Sequence, residues 1–139
     1  MSTNGEARET YKLVVTRRNA EEILLLTSGK YLMLPRIEIL RERRIAEQLT
    51  GESQKAWGLR AYCLFVASLP PAERAEGGYC AVMECAAGNE KAPEGMYWMA
   101  AGAAEESCHP EDAGAVRSAL AQAASYAGGQ QKAPFARPG

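Results

Sequence analysis

Leu34-Pro35-Arg36-Ile37, followed twenty-three residues past Pro35 by Gly58-Leu59, frames the part of this chain that decides its fold. Pro35 cannot donate to a β-ladder, so it ends the short apolar run Tyr31–Leu34. From about Arg43 to Trp57 the pattern is helical. Ile45, Leu49, Ser53 and Ala56 recur at i, i+4, i+8 and i+11, while Arg44, Glu47, Gln48 and Lys55 lie off that stripe, as in an amphipathic helix. Gly51 in its interior costs about 1 kcal/mol relative to alanine. Gly58 is placed to stop the helix in the left-handed conformation.

Upstream, Tyr11–Thr16 and Ile23–Thr27 are short, apolar and rich in β-branched residues, with Arg17-Arg18-Asn19-Ala20 as a turn between them. They predict a hairpin. Ser28-Gly29-Lys30 forms a second turn ahead of the Tyr31–Leu34 strand. Downstream, Leu59–Leu69 reads as a long strand closed by Pro70-Pro71. Gly77-Gly78 opens another strand, Tyr79–Ala87, and Met96–Ala101 is the next. Glu111–Ala127 is an Ala-rich helix ending at Gly128-Gly129. The strands lie too close together for βαβ crossovers throughout, so the expectation is α+β, a mixed sheet with helices on its faces. Residues 1–10 are expected to be disordered, 11–127 to form the domain, and 128–139 to be a linker-like tail leading to an adjoining domain.

A chain of 139 residues, 47% hydrophobic and 24% charged, fits one globular domain. Its net charge of −1 supplies no field to draw it to nucleic acid or an anionic membrane. Residues 1–44 hold nine Lys/Arg against six Asp/Glu, and the remainder seven against eleven, so what positive charge there is gathers in the first third. No apolar run approaches the roughly 20 residues that span a bilayer, and the polar start has no secretory h-region. The four cysteines lack CxxC spacing and read as reduced thiols of a cytoplasmic protein.

The Leu-Pro turn, the helix and the Gly-Leu pair together resemble the Nudix (MutT-like) family. Its signature is a glycine, five residues, Glu, seven residues, then Arg-Glu-U-x-Glu-Glu-x-Gly-U, with U aliphatic. Anchored on Gly58-Leu59, the opening glycine falls on Ile37, the loop glutamate on Arg43, the arginine on Gly51 and the first helix glutamate on Glu52. The aliphatic position falls on Ser53 and the closing glutamate pair on Lys55 and Ala56. The order of hairpin, turn, helix, strands, Trp98 and final helix also matches, across about residues 10–127. The resemblance implies a Nudix-like α/β/α sandwich. The chain also bears a faint similarity to the Nudix-like N-terminal segments of certain bacterial proteins that continue into a phosphotransferase-type kinase domain.

The departures bear on activity. In the family the divalent cations are held chiefly by the closing glutamate pair and the first helix glutamate. Mg²⁺ wants hard oxygen ligands, and pyrophosphate hydrolysis needs the cation to offset phosphate charge and activate water. Here Ala56 offers no ligand, Lys55 offers a cation, and Glu52 alone keeps its letter. Glu47 and Glu52, about 140° apart around the helix, do not chelate one ion. The resemblance therefore implies a Nudix-like module without pyrophosphohydrolase activity and with no metal cofactor. It would bind a nucleotide or phosphorylated metabolite, or serve regulation or protein interaction, as a homodimer or beside another domain. Arg36, Arg41, Arg43, Arg44 and Lys55 are the candidate phosphate ligands, since arginine binds phosphate bidentately. The plainer reading of the arginines is a solvated face paired with Glu38 and Glu42. The alternative function is a divergent Mg²⁺-dependent hydrolase of nucleoside diphosphate derivatives, drawing on Glu52 with Glu84, Glu105 or Glu106.

The remaining chemistry-bearing residues read as structural. Cys63, Cys80 and Cys85 sit in apolar strands, Cys80 and Cys85 on opposite faces. Cys108-His109 contains the chain's single histidine, and adjacent residues seldom make a nucleophile–base pair. Trp57, Trp98, Tyr97 and Tyr62 read as packing ahead of base stacking.

Overall fold

The computed structural model describes residues 8–17, 21–40, 44–67, 79–86 and 91–132. The chain runs β1 (Arg8–Arg17), β2 (Glu22–Ser28), β3 (Tyr31–Met33), β4 (Arg36–Leu40), α1 (Ile45–Trp57), β5 (Ala61–Ala67), β6 (Tyr79–Cys85), β7 (Met96–Ala100), α2 (Ala101–Ser107) and α3 (Pro110–Lys132). The strands form a seven-stranded sheet ordered β3-β2-β1-β6-β5, with β4 also paired to β1 and β7 to β2. Among the described residues, β1–β6 is the one parallel ladder.

β1 reads as an unbroken apolar run because both its faces are covered. Tyr11, Leu13 and Val15 face α1, in a cluster with Leu24, Ile37, Ile39, Leu49, Leu59 and Met83. Val14 points the other way, into a cluster with Ile23, Leu25, Val82, Ala104 of α2, and Val116 and Ala119 of α3. Helices therefore lie on both sides of a mixed sheet, the α/β/α layering expected from the sequence. Cys85 belongs to the first cluster and Cys80 to the second, so the odd spacing does put them on opposite faces.

The hairpin forms, with Thr16 opposite Ile23 and Arg17 opposite Glu22. Beyond that short contact the two strands part. The first half of β1 pairs instead with β4, from Arg8↔Leu40 to Lys12↔Arg36. This corrects the expected disordered start and adds a strand to which the sequence reading gave no element. β1 begins at Arg8 because Arg8–Thr10 find partners on β4, and the stretch after Pro35 is a strand. Ile37 and Ile39 are buried there with Glu38 exposed between them, an alternation that was present in the sequence. Pro35 breaks the run only locally, and its carbonyl accepts the Leu13 N–H at 2.8 Å.

Leu49 and Ser53 are the buried residues of α1. Ile45 and Trp57 pack partly buried on the same cluster, whereas Ala56, expected on the core stripe, is exposed. Gly58 ends the helix at φ 67°, its N–H returning to the Gln54 carbonyl. β5 starts two residues later than expected, at Ala61, and carries an irregularity between Cys63 and Phe65. Across it the facing inverts. Ala61 and Cys63 join the α1-side cluster, while Leu64, Phe65 and Ala67 join the α3 side.

α2 was not expected. Its sequence AGAAEES has no apolar stripe, and Ala104 is its one buried residue. α3 starts at Pro110, a residue whose missing N–H costs nothing at a first helical position. It continues through Gly128-Gly129 to Lys132, past the expected stop, since glycine weakens a helix by about 1 kcal/mol without forbidding it. The turns at Pro70-Pro71 and Gly77-Gly78 lie outside the described residues, as do the first seven residues and the final seven.

Candidate functional site

The buried face of α1 fixes which side chains it presents to solvent. With Leu49 and Ser53 turned inward, Glu52 and Lys55 come outward one turn apart. The Lys55 Nζ lies 3.5 Å from Glu52 Oε2, with side-chain exposures of 74% and 45%. Ala56 adds only a methyl beside them. Ser53 satisfies its hydroxyl within the helix, donating to the Leu49 carbonyl at 2.8 Å. Gln48, a polar residue the sequence leaves off the stripe, clamps the helix to the end of β4. Its Oε1 accepts the Leu40 N–H and its Nε2 donates to the Leu40 carbonyl, each at 2.9 Å.

Of the four candidate arginines, the two among the described residues, Arg36 and Arg44, pair with different partners. Arg36, at the start of β4, is held by α3: its Nη2 lies 2.8 Å from Asp112 Oδ1 and its Nη1 donates to Asp112 Oδ2 at 3.3 Å. Nη1 also donates to the Leu34 carbonyl at 3.0 Å, and Glu111 lies 3.7 Å away. Among the described residues, the partners of Arg36 are carboxylates of a distant helix and not Glu38; Glu42 lies outside the described residues. Arg44 is exposed at the N-terminus of α1 and pairs with Glu47 at 3.2 Å. Arg41 and Arg43 lie outside the described residues.

Asp112 and Lys12 are the residues that sequence reasoning missed here. Asp112 is fully buried and Lys12 nearly so, with Lys12 Nζ 3.0 Å from Asp112 Oδ1 and 3.1 Å from the Glu111 carbonyl. The Leu34 N–H donates to Asp112 Oδ2 at 3.0 Å. Burial pushes the Asp112 carboxyl up, but the hydrogen bonds from Leu34, Arg36 and Lys12 outweigh it and hold the group below its ordinary value. One carboxylate thus ties the Leu34-Pro35-Arg36 turn, β1 and the first turn of α3 together. The available signal was Lys12 alone in an apolar strand and an acidic pair just after Pro110.

The carboxylates of the alternative reading do not meet Glu52. Glu105 and Glu106 belong to α2, whose Ala104 packs on the far face of the sheet from α1. Glu84 shares by alternation the face of Val82, again the far one. Glu105 is engaged by Arg117 Nε at 2.7 Å. Among the described residues no three His, Cys, Asp or Glu side chains are grouped to hold a metal ion. A Mg²⁺ ion does not fit the outward face of α1 as it stands, since one carboxylate there is already answered by an ammonium.

The aromatics are also dispersed. Trp57 and Trp98 pack partly buried on the α1-side cluster, and the Arg17 guanidinium lies 4.4 Å over the Trp98 ring while Nε holds Glu22 at 2.6 Å. Tyr97 on β7 and Tyr62 on β5 are exposed, but β2, β1 and β6 separate their strands. Tyr11 and Tyr79 stack at 5.2 Å. Burial, then Glu9, Tyr79 and Cys63, push the Tyr11 hydroxyl up. His109 is part of the start of α3, its Nδ1 accepting the Glu111 N–H at 3.1 Å. Cys108 is buried, and that burial raises its thiol. The pair therefore builds a helix start.

No family model matches the sequence, and no curated protein matches it either. Solved structures do. A protein of Sinorhizobium meliloti 1021 described as an oxidoreductase superposes with a TM-score of 0.61 at 14% identity, over 86% of this chain but only 40% of its own length. The ORF135 protein of E. coli gives a TM-score of 0.59 at 14% identity, over 94% of this chain and 93% of its own. MutT, from a study of the Aliivibrio salmonicida and Vibrio cholerae proteins, gives 0.55 at 15% identity, over 83% and 98%. Likeness at that identity is one of fold, and with the layering and topology above it makes this domain a Nudix-like α/β/α sandwich.

Proposed function

We propose that the domain is a Nudix-like binding module that takes a nucleotide or phosphorylated metabolite without hydrolysing it, in a regulatory or interaction role. One observation carries the reading. On the outward face of α1, where the Nudix signature calls for carboxylates at 52, 55 and 56, a Glu52–Lys55 ion pair stands beside the Ala56 methyl. Hydrolysis of a pyrophosphate by the metal route needs several hard oxygen ligands, and an ammonium in their midst repels the cation they would hold.

The basic residues near this face suit an anion. Lys55 and Arg44 are exposed, and Arg41 and Arg43 precede the helix in sequence. Arg36 contributes less, since its guanidinium is committed to Asp112. The test is a thermal-shift screen of nucleotides, nucleotide sugars and dinucleotides, each with EDTA and with Mg²⁺ or Mn²⁺. A ligand at 100 times its dissociation constant adds about 2.7 kcal/mol, several degrees for a domain of this size. The expected result is a shift that survives EDTA and shrinks in an Arg41/Arg43/Arg44 triple alanine variant. A shift confined to divalent metal, accompanied by turnover, would overturn the non-hydrolytic reading. No shift with any nucleotide would remove the small-molecule part of it.

A further inference from the structure

Two features could make the outward face of α1 a poor seat for a divalent cation. Either the helix frame is wrong for one, or the frame is sound and the side chains exclude it. The frame is closely determined. Leu49 and Ser53 are both fully buried, which sets the helix rotation. The αL cap at Gly58 ends the helix one residue before the buried Leu59. The Gln48 amide holds its other end to β4. Positions 52, 55 and 56 are then neighbours at i, i+3 and i+4 on the surface. The 3.5 Å approach of Lys55 Nζ to Glu52 Oε2 shows that side chains at 52 and 55 reach a common point.

We infer that Lys55 takes the cation's part on this helix face: its ammonium answers the Glu52 carboxylate and, together with the missing carboxylate at Ala56, makes the face unfit for a divalent ion. The inference deepens the functional reading above and rests on it for its biological sense. The cation chemistry can be tested without any nucleotide. Both positions are exposed, so substitution there leaves the core untouched.

The experiment is a titration of the full chain with Mn²⁺ alone, following the free-ion signal by electron paramagnetic resonance. Wild type and Lys55→Gln, which removes the ammonium without adding a ligand, should leave the free-ion signal as in buffer. The Lys55→Glu/Ala56→Glu double variant should gain one site, at least about tenfold tighter than any residual wild-type binding, as carboxylate count governs affinity for hard cations. Adding Glu52→Gln to that double variant should remove the site. A wild-type Mn²⁺ site abolished by Glu52→Gln would overturn the inference. So would a double variant that melts normally by circular dichroism and gains no site. Lys55→Asp/Ala56→Asp decides the matter should the glutamate version fail to fold. Inorganic pyrophosphate, titrated calorimetrically into wild type with EDTA, reports separately on phosphate binding. Its failure to bind would count against the functional reading while the Mn²⁺ result still decides the role of Lys55.

Discussion

Asp112 receives the Leu34 N–H, the Arg36 guanidinium and the Lys12 ammonium in a site closed to water, so its removal would strand two cations and an amide at once. Breaking a buried pair by deleting one partner costs about 3–5 kcal/mol. Asp112→Ala should lie in that range by urea denaturation. The pH dependence follows from the direction of the shift. The folded carboxyl sits below its ordinary value of 3.8, so its contribution is complete well above that pH and is lost as pH falls through it toward the lower folded value. Denaturation midpoints of wild type against pH should therefore fall on the acid side, and Asp112→Asn should flatten that fall. An unchanged acid limb in Asp112→Asn would show that other carboxylates govern it. None of these partners was legible from the sequence. Lys12 and Asp112 are a hundred residues apart, and no local pattern pairs them.

At the scale of the element, α1 was readable because its cues are local: a stripe of apolar positions and a glycine stop. The same cues make a paired prediction. Gly51 has helical backbone and nothing within 4 Å of an added Cβ, so Gly51→Ala should stabilise by about 0.5–1 kcal/mol through a stiffer unfolded chain. Gly58 has equal room, but its φ of 67° is left-handed, and Gly58→Ala should cost about 1–2 kcal/mol. Denaturant midpoints moving in the same direction for both variants would contradict this account. β4 and α2 were missed for different reasons. The alternation in β4 was present but lay directly behind a proline that ends the preceding run. α2 buries one alanine, too little for any hydrophobic period.

Over the whole molecule, the two covered faces of the sheet decide what the thiols can do. Cys85 packs on the α1 side, Cys80 and Cys108 on the α3 side, and all three are buried, while Cys63 is half-buried. Burial pushes the Cys80 thiol up to about 12, the nearby Lys12 ammonium only partly opposing it. Native protein treated with Ellman's reagent at neutral pH should react first at Cys63, with the other three waiting on unfolding. Fast labelling of Cys80 would mean that the α3 layer opens readily. The sequence by itself determined the class of fold, the hairpin, the α1 frame between Leu34-Pro35 and Gly58-Leu59, and which letters occupy positions 52, 55 and 56, because each depends on near neighbours in the chain. Only the tertiary structure decided that β1 divides one edge between β2 and β4. Only it paired Arg36 with Asp112 and put Glu84, Glu105 and Glu106 across the sheet from Glu52. Those outcomes depend on which faces the sheet buries and on which charges burial brings together, and chain-local patterns carry neither.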